Sequence, residues 1–167
     1  MSLKSFSADE VFEMAERIER NGARFYRRAA ENFLEEDLKR LLLDLAVMED
    51  EHEATFKELR GNLTGGDAAP TVFDPDNQAV LYLQALADGY VFDTAEDPAE
   101  SLTGQESAEA VLRTALGLER DSIAFYVGIQ QAMPPKWGRD KIDWIISEEF
   151  GHVSLLSDRL RRVLEAK

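Results

Sequence analysis

Cysteine is absent from the 167 residues of the chain. That excludes disulfides, cysteine-ligated zinc, iron–sulfur clusters and a rubredoxin-type iron site. Long apolar runs are absent too: no stretch of about 18 such residues occurs, so nothing reads as membrane-spanning. The opening residues, Met1-Ser2-Leu3-Lys4-Ser5-Phe6, lack the apolar centre of a signal peptide, and a cytoplasmic protein is the expectation. Positive charge is scarce. Nineteen Lys and Arg against 33 Asp and Glu leave a net charge of −14, which argues against nucleic acid and anionic membrane as partners. Most of those carboxylates read as a solvated helix surface.

Histidine is rarer still. The two histidines, His52 and His152, stand 100 residues apart, each three residues after a glutamate, Glu49 or Glu149. Glu19 and Glu119, Phe25 and Phe125, and Tyr26 and Tyr126 keep the same 100-residue offset. The pattern reads as an internal duplication. On an α-helix, positions i and i+3 are neighbours on one face, so a carboxylate and an imidazole so spaced can turn toward one ion.

The periodicity predicts an all-α chain, one domain over 1–167, made of two helical hairpins at about 7–60 and 107–164. Ser7 to Glu10 reads as a capping box opening a helix that runs to about Phe33. Its inner stripe is Phe12, Ala15, Glu19, Gly22, Tyr26, Ala30 and Phe33, with a glutamate as the anomaly; Glu13, Glu16 and Glu31 fall on the surface. After a turn at 34–36, a second helix faces Leu38, Leu42, Leu45, Glu49, His52 and Phe56 inward, to about Arg60, leaving Asp50, Glu51 and Glu53 elsewhere. The third helix opens near Ser107, capped by it or by Thr103 with Glu106. The fourth runs from about Arg139 to Leu164 after Pro134-Pro135, with Glu148 on a solvated face. Residues 61–106 form a crossover along the bundle, with a short helix expected from Asn77 to Tyr90.

Helix rise tests whether the acidic positions meet. Glu19 lies 14 residues before Phe33, and Glu49 lies 13 residues after Glu36. At about 1.5 Å per residue these are roughly 21 and 20 Å, so the hairpin brings both to one level. The second hairpin repeats the sum, from Glu119 to Met133 and Lys136 to Glu149.

Four buried carboxylates at one level repel each other by about 4 kcal/mol per pair at ~4 Å and an effective dielectric of 20. Burial adds a desolvation penalty. Two divalent cations cancel the formal charge. Four oxygen donors and two imidazoles without thiolate suit iron, manganese or a mixed pair better than structural zinc. Glu19, Glu49, His52, Glu119, Glu149 and His152 are therefore the candidate metal ligands, the set found in ferritin-like di-metal bundles. By pattern Glu49 and Glu149 are bridging and Glu19 and Glu119 terminal. Tyr26 and Tyr126, two turns beyond the terminal glutamates, read either as core aromatics or as candidate catalytic phenols that hydrogen-bond a ligand carboxylate and relay an electron. Gly22 and Ser122 either leave room beside the metals for an oxidant or serve close helix packing.

Together Glu19-(x6)-Tyr26, Glu49-x-x-His52, Glu119-(x6)-Tyr126 and Glu149-x-x-His152 resemble the rubrerythrin-like branch of the ferritin-like superfamily, as does Tyr82-Leu83-Gln84-Ala85-Leu86 in the crossover. The resemblance implies a ferritin-like four-helix bundle, two iron ions, reduction of hydrogen peroxide or oxidation of iron by dioxygen, and a homodimer. The pattern departs from the family at two points. There is no cysteine-bearing rubredoxin domain, so a separate electron-donor protein is implied. The family's extra glutamate, three residues after the third-helix ligand, is Ser122 here. A peroxidase or oxidase acting against oxidative stress is the leading expectation, iron storage or sequestration the alternative, and a metal-free structural bundle the third.

Overall fold

The computed structural model describes residues 7–63, 81–82, 85, 97–132 and 134–166. Among them every long element is helical: α1 (Ala8–Glu31), α2 (Glu36–Gly61), α3 (Ala108–Ala132) and α4 (Arg139–Glu165). Short 3-10 turns at Pro98–Ser101 and Pro135–Trp137 precede α3 and α4.

The helix starts follow local chemistry. The Ser7 hydroxyl accepts from the Glu10 amide at 3.2 Å, and the Glu10 carboxylate accepts from the Ser7 amide at 2.8 Å, closing the capping box of α1. Ser107 caps α3 by accepting from the Ala110 amide at 3.1 Å. Glu106 instead ties the preceding turn, accepting from the Thr103 amide and hydroxyl, both at 2.7 Å. Gly138 sets the entry to α4 with φ of +90°. A β-carbon there would also lie 2.3 Å from Leu59 Cδ2. Gly138→Ala is expected to lower the unfolding free energy by roughly 1–3 kcal/mol, read from the midpoint of urea denaturation at unchanged slope.

Two apolar clusters fill the bundle, one at each end. One gathers Phe12, Phe56, Tyr126, Ile129, Trp137, Ile142 and Ile145; the other gathers Phe25, Tyr26, Leu38, Leu42, Leu45, Leu112 and Leu156. The four glutamates and two histidines form the layer between. The two hairpin turns lie at opposite ends. Gly138 meets Leu59 at the end of α2, whereas Arg28 of α1 donates to the Leu102 carbonyl and Arg24 pairs with Asp97 at 2.8 Å. The chain therefore leaves α2 at one end of the bundle and is next described before α3 at the other, at Asp97, as a lengthwise crossover requires. The expected helix at 77–90 falls mostly outside the described residues; Leu81, Tyr82 and Ala85 are helical, and the Tyr82 hydroxyl donates to the Ala124 carbonyl at 3.0 Å. No helix among the described residues is long and apolar enough to cross a membrane.

Two surface assignments need correction. Glu16 and Glu53 are buried. Arg20 and Lys57 reach Glu53 at 2.7 and 2.6 Å, and Arg60 approaches Glu16 at 3.5 Å while pairing with Asp9. Long basic stems cover these carboxylates from the flanks, which the apolar stripe alone does not reveal.

Candidate metal centre

α1 supplies Glu19, α2 Glu49 and His52, α3 Glu119, and α4 Glu149 and His152; all six side chains are buried. They form two overlapping groups, Glu19–Glu49–His52–Glu149 and Glu49–Glu119–Glu149–His152. Around His52 Nδ1 lie Glu149 Oε1 at 3.0 Å, Glu19 Oε2 at 3.5 Å and Glu49 Oε2 at 3.8 Å. Around His152 Nδ1 lie Glu49 Oε1 at 3.3 Å and the Oε2 atoms of Glu119 and Glu149, both at 3.5 Å. Glu49 and Glu149 thus present one oxygen to each imidazole. Glu19 and Glu119 each serve one. The two rings are nearly parallel, 21° between planes and 5.5 Å between centroids.

These donor atoms fit metal ions. Metal–ligand bonds of about 2.1 Å put neighbouring donors roughly 3 Å apart, close to the spacings found. Glu19 Oε2, both oxygens of Glu149 and Nδ1 of each histidine are buried with no hydrogen-bond partner. Orphaned acceptors converging in an apolar interior are the signature of a ligand shell.

The electrostatics of the six side chains point the same way. Burial, then repulsion from Glu49, drives the Glu19 carboxyl well above its ordinary range. Burial and the neighbouring Glu149 push Glu119 up to about 8. Burial opposes charge on the histidines, but the surrounding carboxylates outweigh it: Glu149, Glu19 and Glu49 raise His52, and His152 is pushed up to about 12. Glu149 moves the other way. Burial resists its ionisation, yet Glu119 and the two imidazoles hold it below the usual carboxylate range. Without cations, the charge is offset by protons.

Both tyrosines reach across the duplication. The Tyr26 hydroxyl of the first hairpin donates to Glu119 Oε1 of the second, and Tyr126 donates to Glu19 Oε1. Burial and the adjacent carboxylates drive both phenols well above their ordinary pKa. They are hydrogen-bond donors that fix the two glutamates serving a single histidine each. Ser122 turns away, its hydroxyl donating to the Leu118 carbonyl at 3.0 Å. A β-carbon at Gly22 would sit 3.5 Å from Glu49 Cγ and Cδ, an ordinary contact, so crowding does not demand glycine there.

Sequence reasoning missed what lies behind the imidazoles. Glu148, expected on a solvated face, is only half-exposed, with Oε2 3.6 Å from His52 Nε2. His152 Nε2 instead meets Met48 Sδ at 3.2 Å. Trp144 packs edge-on against His52, 5.6 Å between centroids. Met48 and Glu148 occupy the same place in the repeat, directly before the shared glutamates, so a mismatch there was the available signal.

Fold and site together define a ferritin-like helical bundle with a buried carboxylate–imidazole centre suited to metal ions. The rubrerythrin family model matches residues 10–160, and the chain belongs to that family. It is also similar to a crystal structure from Thermotoga maritima, of a protein provisionally described as ferritin-like and diiron-carboxylate. The TM-score is 0.68 at 21% identity, over 94% of this chain and 96% of that one. No curated protein matches the chain.

Proposed function

We propose that this is a non-haem di-iron protein whose centre, held by Glu19, Glu49, His52, Glu119, Glu149 and His152, reduces hydrogen peroxide or dioxygen. The observation that carries the reading is the shared placement of Glu49 and Glu149, each turning one oxygen toward either histidine. That is the arrangement a bridged pair of cations requires. Four carboxylates with two imidazoles and no thiolate favour iron or manganese.

Bound as a ferrous pair, iron supplies the two electrons that, with two protons, convert one hydrogen peroxide to two waters. The chain's residues hold and insulate that pair. Glu49 and Glu149 fix the separation of the two positions. Tyr26 and Tyr126 hold Glu119 and Glu19 in place, and as phenols beside the carboxylates they are the groups suited to relay an electron from a separate donor protein. The apolar clusters on either side exclude water from the layer. Exposed Val47, Trp144 and Phe150 on α2 and α4 offer apolar surface for a homodimer.

Iron oxidation for storage or sequestration is the second reading. Ser122, with its hydroxyl committed to Leu118, supports it, because no carboxylate stands where the peroxide-reducing relatives carry one. Metal analysis of protein from iron-replete cells is expected to find two irons per chain; no bound metal would sink both readings. Stopped-flow oxidation of the ferrous form then separates them. Much faster reaction with peroxide than with dioxygen marks a peroxidase, and the reverse order marks a ferroxidase.

A further inference from the structure

The two halves of the centre match in the donors they turn inward but not in what backs their histidines. Nδ1 of each imidazole faces the carboxylates. The remote nitrogen of His52 faces the Glu148 carboxylate at 3.6 Å, and that of His152 faces the Met48 thioether at 3.2 Å. An imidazole that binds metal through Nδ1 carries its proton on Nε2. A carboxylate accepting that proton fixes the ring and makes Nδ1 a stronger donor. A thioether is a weak acceptor and does little of either. His52 Nε2 is buried with no hydrogen-bond partner, and the half-exposed Glu148 carboxylate is the acceptor that stands next to it. Trp144, edge-on against the same ring, restrains His52 further. The equivalent position beside His152 is Asp44, which is exposed.

From this mismatch we infer that the two metal positions are unequal. The position of His52, Glu19, Glu49 and Glu149 binds its cation first and more tightly, and Glu148 is the positioning residue that makes it so. This rests on the proposed metal centre and adds an order of filling to it.

Half-site variants test the inference, with cobalt(II) as the probe and binding followed by calorimetry and visible absorption. Glu119→Gln weakens the His152 position, Glu19→Gln weakens the His52 position, and each glutamine keeps an acceptor for its tyrosine. E119Q is expected to bind its remaining cobalt about 10–100-fold more tightly than E19Q. Adding Glu148→Ala to E119Q is expected to erase that advantage. Adding Met48→Glu to E19Q is expected to raise its affinity toward that of E119Q, a gain that a merely structural role for position 48 would not give. In the otherwise unchanged chain, E148A alone is expected to weaken binding of the first equivalent. Equal affinities in the two half-site variants, or an E148A chain that binds its first cobalt as tightly as before, would overturn the inference while leaving a two-metal centre intact. Failure of the unaltered chain to bind two cobalt ions would sink the metal centre itself.

Discussion

Glu149→Ala is expected to empty both metal positions at once, whereas Glu119→Ala is expected to remove one. Glu149 presents Oε1 to His52 at 3.0 Å and Oε2 to His152 at 3.5 Å, so its loss strips a donor from each position. Glu119 approaches His152 alone among the two imidazoles, at 3.5 Å. Stability gives a second readout. A cation at 1,000 times its dissociation constant stabilises the folded chain by about 4 kcal/mol per position. For a chain of this size that is roughly 8–16 °C in melting temperature. Calorimetric melting with and without manganese(II) should show this gain about twice over in the unaltered chain, once in E119A and not at all in E149A. A metal-induced gain that survives in E149A would remove Glu149 from its shared role.

The metal-free protein is expected to lose stability between about pH 6 and 9, and the metal-loaded protein is expected to pull steadily ahead of it over the same range. Among the side chains alone, Glu119 is pushed up to about 8, Glu19 is raised, and His52 and His152 are raised. A group raised on folding contributes stability that is complete below its unfolded pKa and is lost as pH climbs through the folded one. For Glu119 that window runs from about 4.5 to about 8. For His152 it opens near 6.5 and closes at about 12. Each proton retained by the folded but not the unfolded chain costs about 1.4 kcal/mol per pH unit. Glu149, whose folded pKa is lowered, has its contribution fully in place above about 4.5 and stays flat here. The metal-free protein therefore loses stability as pH rises. Metal binding needs neutral imidazoles and ionised carboxylates, so it releases protons and tightens with pH. The loaded protein gains on the bare one across the same window. Melting curves at pH 6, 7.5 and 9, with and without chelator, measure both slopes. A metal-free melting temperature that is level or rises over this range would contradict the protonation scheme.

The six buried donors were legible because helical spacing is a local property and the duplication states it twice. A glutamate inside an apolar stripe, followed on the neighbouring helix by Glu-x-x-His, leaves few alternatives once 1.5 Å per residue is counted back to a turn. The hairpin boundaries were read separately, from helix-end signals such as the Ser7–Glu10 capping box and Pro134-Pro135. Glu148 was misread for the complementary reason. Periodicity gives a side chain's direction around its own helix, about 100° from Glu149, but not how near the next helix stands. His52 comes from α2, and only the packed bundle shows that it lies within reach. Glu16 and Glu53 were lost similarly, since the arginines that cover them are 44 and 33 residues away. Gly138 stood next to an obvious helix break, yet only the fold places Leu59 where a β-carbon would go.

The crossed tyrosine bonds and shared glutamates mean that neither hairpin owns a complete set of candidate donors. The first brings Glu19, Glu49 and His52 and borrows Glu149; the second brings Glu119, Glu149 and His152 and borrows Glu49. Two identical copies of one hairpin, related by a twofold axis, would lend each other the missing parts equally well. Tandem fusion of such copies removes the need for them to stay identical. Position 48 and its counterpart 148, methionine in one and glutamate in the other, show what that freedom allows: the two halves differ at the margin of the centre while the six inward donors stay paired.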